Sequence, residues 1–194
     1  MDADEVANAL YEMCQRHFGS TKKPSFDLYR IFYYDCLPYN KRHHHPITNR
    51  VLDFERTNKF TFQTNFLEAL KRKRKVALRL GVLESGNQWT IRPKMVKALL
   101  QREIEISELS DQDVQFELRQ KGVDMKIGLD IATLTLKKQV GRIILVSGDS
   151  DFVPAAKLAR REGVDFILDP MWNPIKPNLF EHIDGLRSMI KRPS

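Results

Sequence analysis

An α/β fold, a mainly parallel sheet with helices on both faces in one domain spanning residues 1–194, is what the sequence predicts. Three observations carry that expectation. Ile143-Ile144-Leu145-Val146 is a short apolar, β-branched run between Gly141 and Gly148, the pattern of a strand buried on both faces. Apolar residues then recur at 152, 155, 156 and 159, with Lys157, Arg160 and Arg161 opposite and Gly163 as the stop, which is an amphipathic helix. Val164 to Leu168 is the next apolar run, so strand, helix and strand fit into about thirty residues, the size of one βαβ unit.

Asp149 and Asp151 follow the first strand at its carboxyl end, where open α/β sheets bind ligands. Asp151 stands where a helix N-cap belongs. Two carboxylates about 4 Å apart in one crevice repel by roughly 4 kcal/mol at an effective dielectric near 20. A divalent cation offsets that repulsion. Turn and cap roles account for the same two residues without an ion, so both readings stand at this point.

The whole string narrows the choice. Ser147-Gly148-Asp149-Ser150-Asp151-Phe152 resembles the SGDSDF signature of the NYN family, in the LabA-like branch of the PIN-like nucleases. Lys121-Gly122-Val123-Asp124 with Leu129-Asp130 is similar to that family's KGVD-x5-D segment, and the motifs together cover roughly residues 116 to 170. Weaker similarity reaches both ends, including an L-x4-D pattern at Leu179 to Asp184. The resemblance implies a PIN-like fold and a metal-dependent ribonuclease using Mg²⁺ or Mn²⁺. Carried onto this chain, the metal ligands are Asp149, Asp151 and Asp124, then Asp2 and Asp130, of which the first four are the catalytic acids. Ser147 and Ser150 support them. In the family a hydrophobic first strand ends in a motif like D-G-x-N; here Asp2 matches the aspartate, Glu5 stands at the Asn position, and only Met1 precedes Asp2. Read without the family, Asp2, Asp4 and Glu5 are first-turn acids of a helix.

Composition bounds the rest. The chain has 194 residues, 42% of them hydrophobic, with net charge +7, which suits one well-cored domain and a polyanionic partner. No apolar run approaches 18 residues and no signal core opens the chain, so a cytoplasmic protein away from membranes is expected. Cys14 and Cys36 lack metal-ligand spacing and read as reduced thiols.

Along the chain, apolar residues at 6, 9, 10, 13 and 14 predict a helix over Met1 to Phe18. Phe26 to Tyr34 reads as a strand, Asp35 to Pro46 as a loop with His43-His44-His45, and residues 60 to 75 as a helix with a basic end. That end, Lys71-Arg72-Lys73-Arg74-Lys75, is a solvated helix terminus or a phosphate-tracking patch. Val76 to Leu83 reads as a strand. Residues 85–113 form a basic insertion with a short strand at Trp89 to Ile91 and a helix at Lys94 to Gln101. Gln115 to Arg119 is a further strand, Asp124 caps the helix that follows, and Leu179 to Ile190 reads as a terminal helix.

RNA, single-stranded, is the implied partner, gathered by Lys71 to Lys75 and Lys121. Two rivals remain: a non-catalytic RNA-binding module, and a haloacid-dehalogenase-like phosphatase in which Asp2-x-Asp4 would supply a nucleophile and Gly148-Asp149 the second acid. Oligomeric state is not written in the sequence.

Overall fold

The computed structural model describes residues 1–19 and 27–192, with backbone alone at 87 and 88. In chain order its elements are α1 (Ala3–Arg16), β1 (Ile31–Cys36), β2 (Arg42–His44), β3 (Val51–Asp53), α2 (Asn58–Lys71), β4 (Val76–Ile91), α3 (Pro93–Leu100), β5 (Val114–Lys121), α4 (Val123–Leu136), β6 (Arg142–Val146), α5 (Val153–Arg161), β7 (Asp165–Asp169), α6 (Pro177–Phe180) and β8 (Gly185–Leu186). The expected α/β class holds. β1 pairs parallel with β4, and β6, β7 and β8 form a parallel trio. β4 and β5 pair antiparallel, as do β2 and β3.

The βαβ unit forms for the reason its periodicity gives. Phe166 and Leu168 of β7 are fully buried and pack with Ala156 and Ala159 of α5, Ile131 of α4 and Leu145 of β6. The two small alanines let α5 lie close on the sheet. A second core forms where α1 and α2 meet through Ala3, Ala7, Phe66, Leu67, Ala69 and Leu70. Tyr33 of β1 and Val76, Leu78 and Leu80 of β4 pack against it, while Tyr34 and Arg79 turn to the other face and bond Asp130 of α4. Strand alternation thus puts helices on both faces of β1 and β4.

Several elements depart from the sequence reading. β1 begins at Ile31 and runs to Cys36, and the expected start at Phe26 lies outside the described residues. Within the expected loop 35–46, Arg42 to His44 pair with Val51 to Asp53 as a hairpin. β4 does not stop at Leu83 but continues to Ile91, with a register shift between Ser85 and Trp89, and β5 returns along it. Trp89 lies 5.3 Å from the Phe116 ring and 4.7 Å from His45, inside a satellite aromatic cluster with Tyr39, His43 and Phe54. His45 Nδ1 accepts from the amides of Ile47 and Thr48, so His45 forms the turn, His43 packs in the cluster, and His44 is exposed on β2.

The expected terminal helix over Leu179 to Ile190 is limited to one turn, Pro177–Phe180. Asp184 is taken by β7: its Oδ2 accepts from the Phe166 amide at 2.9 Å and its Oδ1 from Arg160 Nε at 2.8 Å. Gly185 and Leu186 then pair as the trio's edge strand, and a sheet hydrogen bond replaces a helical one.

At Gly81 the sheet and α4 come closest. A Cβ there would stand 2.5 Å from the Lys121 carbonyl oxygen and 2.8 Å from Val123 Cγ2, neither of which can yield without moving the start of α4. Gly81→Ala is expected to cost about 1–3 kcal/mol of unfolding free energy in urea titrations. An unchanged midpoint would show that the junction adjusts freely.

Candidate functional site

The turn after β6 is built around Asp149. Its backbone is extended, its Oδ1 accepts from the Asp151 amide at 3.0 Å, and its own amide donates to Ser147 Oγ at 3.2 Å. One 3-10 turn, Ser150–Phe152, intervenes before α5, and buried Phe152 fixes it to the core. The cap is therefore Asp149, where the sequence suggests Asp151. The extra 3-10 turn moves the helix start along the chain and leaves the Asp151 side chain exposed and free of capping.

Asp124 is likewise not the cap of its helix. Gly122, at φ +80, holds that position without a side-chain bond, and Asp124 is the second residue of α4, in the first turn and exposed. A left-handed backbone there is what glycine permits. Asp124 and Asp149 line one cavity of about 740 Å³. That cavity lies between β1 and β6, lined by every residue of 27–34 and of 139–147, as strand edges are. Among the described residues β1 pairs with β4 alone and β6 with β7 alone.

The other acids of the sequence reading are engaged elsewhere. Asp130 accepts from Tyr34 and from Arg79 Nε, both at 2.9 Å, which ties α4 to β1 and β4. Asp2 caps α1 in a reciprocal box with Glu5, each bond 2.8 Å long. Asp4 pairs with Arg72, which puts the start of α1 at the amino edge of β4. The helix then rises about 21 Å over its 14 residues, and His17 at its far end lines the cavity. Asp2 is thus a helix length from the acid turn, and the D-x-D arrangement of the phosphatase reading is not assembled.

The basic run stays with Asp2 at that edge. Lys71 pairs with Glu68, Arg72 with Asp4, Lys73 with Asn8, and Lys75 with the Leu28 carbonyl. Lys121, at the acid edge, pairs with Glu84. Sequence reasoning missed a cation bonded to the turn. Lys176 Nζ donates to Ser150 Oγ at 3.1 Å, carried there by a loop whose Pro174 oxygen would lie 3.5 Å from a Cβ on Gly148.

A buried pair closes the same edge. Asp169 is fully buried at the end of β7, where its carboxylate accepts from His17 Nε2 at 3.0 Å, the Met171 amide at 2.8 Å and the Met189 amide at 3.1 Å. His17 Nδ1 is buried with no partner. Asp169 stands at the carboxyl end of its strand just as Asp149 follows β6, and that shared position was the signal available in the sequence. Free Cys14, which also lines the cavity, has its thiol pushed up to about 11 by burial and by the Asp169 charge.

A family model described as the NYN domain matches residues 42–173. No curated protein and no solved structure matches the chain significantly. The chain belongs to the NYN domain family, whose members are PIN-like nucleases. No helix among the described residues is long and apolar enough to cross a membrane.

Burial lowers the His17 pKa below its ordinary 6.5, against the opposing pull of Asp169. The unfolded chain takes up this proton near pH 6.5 while the folded chain resists it, so the contribution is complete above that pH and is lost as pH falls towards the lower folded value. Wild type is expected to lose more stability than His17→Gln between neutral pH and pH about 5 in urea titrations. Equal losses would remove His17 from the acid sensitivity.

Proposed function

We propose that the protein is a metal-dependent endoribonuclease that cleaves single-stranded RNA at the turn carrying Asp149, with Asp124 and Asp151 beside it. One observation supports this most. Asp124 and Asp149 arrive from different elements at one cavity, and among the described residues neither has a cation within ion-pair distance, nor has Asp151. The structural acids Asp4, Asp53, Asp130, Asp165 and Asp184 each have one. Unpaired carboxylates facing one space gain from a bound cation.

The donor set suits an open site. Among the described residues no group of three or more His, Cys, Asp or Glu side chains is placed to hold a metal ion. Mg²⁺ keeps several waters and takes one or two carboxylates together with substrate phosphate oxygens, which two aspartates at a cavity rim satisfy. Asp149 and Asp124 would hold the ion, and Asp151, in the turn that follows Asp149, would add negative charge nearby. Bound there, it would supply an activated water and neutralise charge on the phosphoryl group. The chain's own groups do the rest. Ser147 fixes the Asp149 backbone, and Lys176, held by Ser150, brings a positive charge to where phosphate charge grows. Lys121 adds a second cation at this edge.

The lack of such a three-residue group among the described residues favours one other reading, an RNA-binding module without cleavage. Asp149→Asn decides between them, because Asn also caps and the turn should survive. Its cleavage of single-stranded RNA in Mg²⁺ or Mn²⁺ is expected to fall by roughly 100-fold with thermal stability kept, and chelation should abolish wild-type cleavage. Binding without cleavage across a full Mn²⁺ series would establish the module instead.

Lys71 to Lys75 lie about 20 Å from this edge along β4, so we assign them long-range attraction rather than contact with the reacting phosphate. Replacing them by alanine is expected to weaken RNA binding at low salt and to leave kcat at saturating RNA unchanged. A large fall in kcat would bring the run into the site itself.

A further inference from the structure

We infer that the loop after β7 carries a nucleobase subsite, in which Trp172 is the stacking platform for a base of single-stranded RNA next to the acid turn. The inference rests on the ribonuclease reading and names how that substrate would be held. A pocket of about 330 Å³ is lined by Pro170, Trp172, Asn173, Ile175, Leu186 and Ser188. Its size is at the small end for ligand sites and suits one ring system. Trp172 is 49% exposed and Leu186 51% exposed, so the pocket has an open apolar wall.

Two features show that the indole is held rather than loose. Its Nε1 donates to the Ile190 carbonyl at 2.8 Å, and the Arg192 guanidinium stands 5.9 Å from the ring centre. Met171 and Trp172 both take positive φ, +49 and +66, a conformation that L residues keep only where the surroundings enforce it. Here the Asp169 carboxylate enforces it by accepting from the Met171 amide. An exposed aromatic ring fixed in place, with a guanidinium against it, offers a nucleobase stacking and a cation together.

The neighbourhood says why the occupant is a nucleotide. The same loop presses Asn173 and Pro174 against Gly148 and delivers Lys176 to Ser150, so the platform and the acid turn share one wall. Arg192 and Lys176 give that wall the charge a phosphate backbone seeks, and Asn173 and Ser188 offer polar groups to a base edge.

The test uses oligoadenylate RNA with Asp149→Asn protein in chelator, so that no cleavage intrudes, in a Trp89→Phe background where Trp172 is the sole indole. RNA is expected to quench Trp172 fluorescence. Trp172→Ala should weaken binding roughly 5- to 100-fold, the range of one lost stacked base, and Trp172→Phe should keep most of the affinity. Phenylalanine retains the ring and loses the bond to Ile190. Affinity as poor in the Phe variant as in the Ala variant would make the residue a structural tie, and unquenched fluorescence with unchanged Ala affinity would remove the subsite. If wild type cleaves RNA while either result holds, the subsite alone fails. If wild type neither binds nor cleaves RNA, the nuclease reading falls and the subsite with it.

Discussion

The Asp169 carboxylate is the contact on which the acid edge of this molecule depends. A buried carboxylate is tolerated only when its lone pairs are used, and Asp169 uses them on three separate segments: the end of α1, the loop after β7 and the chain beyond β8. Each bond fixes something that apolar packing alone would leave free. His17 anchors the last turn of a helix whose own core lies against α2, some distance away. The Met171 amide sets a left-handed turn, and the Met189 amide draws the C-terminal segment alongside. Removing this one carboxylate would orphan a buried histidine, at about 1–3 kcal/mol of desolvation, and two part-buried amides at less.

The acid edge is also where the sheet is incomplete. β1 and β6 each leave one edge without a strand partner among the described residues, and both border the 740 Å³ cavity. That gap explains why Asp124 and Asp149 face open space rather than each other across a closed ladder. It also bears on Asp2, whose counterpart in the family's pattern ends a first strand. In the structure Asp2 caps α1 at the opposite edge.

Much of the fold was legible because it rests on local periodicity. The β6–α5–β7 unit follows from apolar spacing and Gly163, and its core residues are those the pattern picks out. What periodicity could not give was competition between local and distant partners. Leu179, Ile183 and Leu186 are spaced as a helix would space them, yet Asp184 accepts from the Phe166 amide of β7 and leads into a strand rather than another helical turn. Asp151 looked like a cap because nothing in its neighbours announces the intervening 3-10 turn. The partners of the basic run, Asp4 and Asn8, lie more than 60 residues away in the chain. Of the candidate site, the sequence offers the acids of two motifs, and the structure puts Asp124 and Asp149 on one cavity; the sequence does not single out Lys176 or Trp172, whose places come from a proline-broken loop folding back on Gly148.

Charge is divided between the two edges, and the division limits how a polyanion can be handled. The net +7 attracts it over the whole surface, but screening at physiological salt falls off over about 8 Å, well short of the strand length separating Lys75 from the acid turn. Attraction at the amino edge therefore cannot offset the repulsion that Asp124, Asp149 and Asp151 exert on a phosphate at the carboxyl edge. On the proposed reading that repulsion would have to be met locally, by a cation among the carboxylates and by the few positive groups near them. Lys176 is bonded to the turn itself, and Arg192 stands over the Trp172 ring on the same loop. The acids make a polyanion unwelcome at this edge unless such groups are present, and this is why the loop pinned by Asp169 matters as much to the site as the motif that carries Asp149.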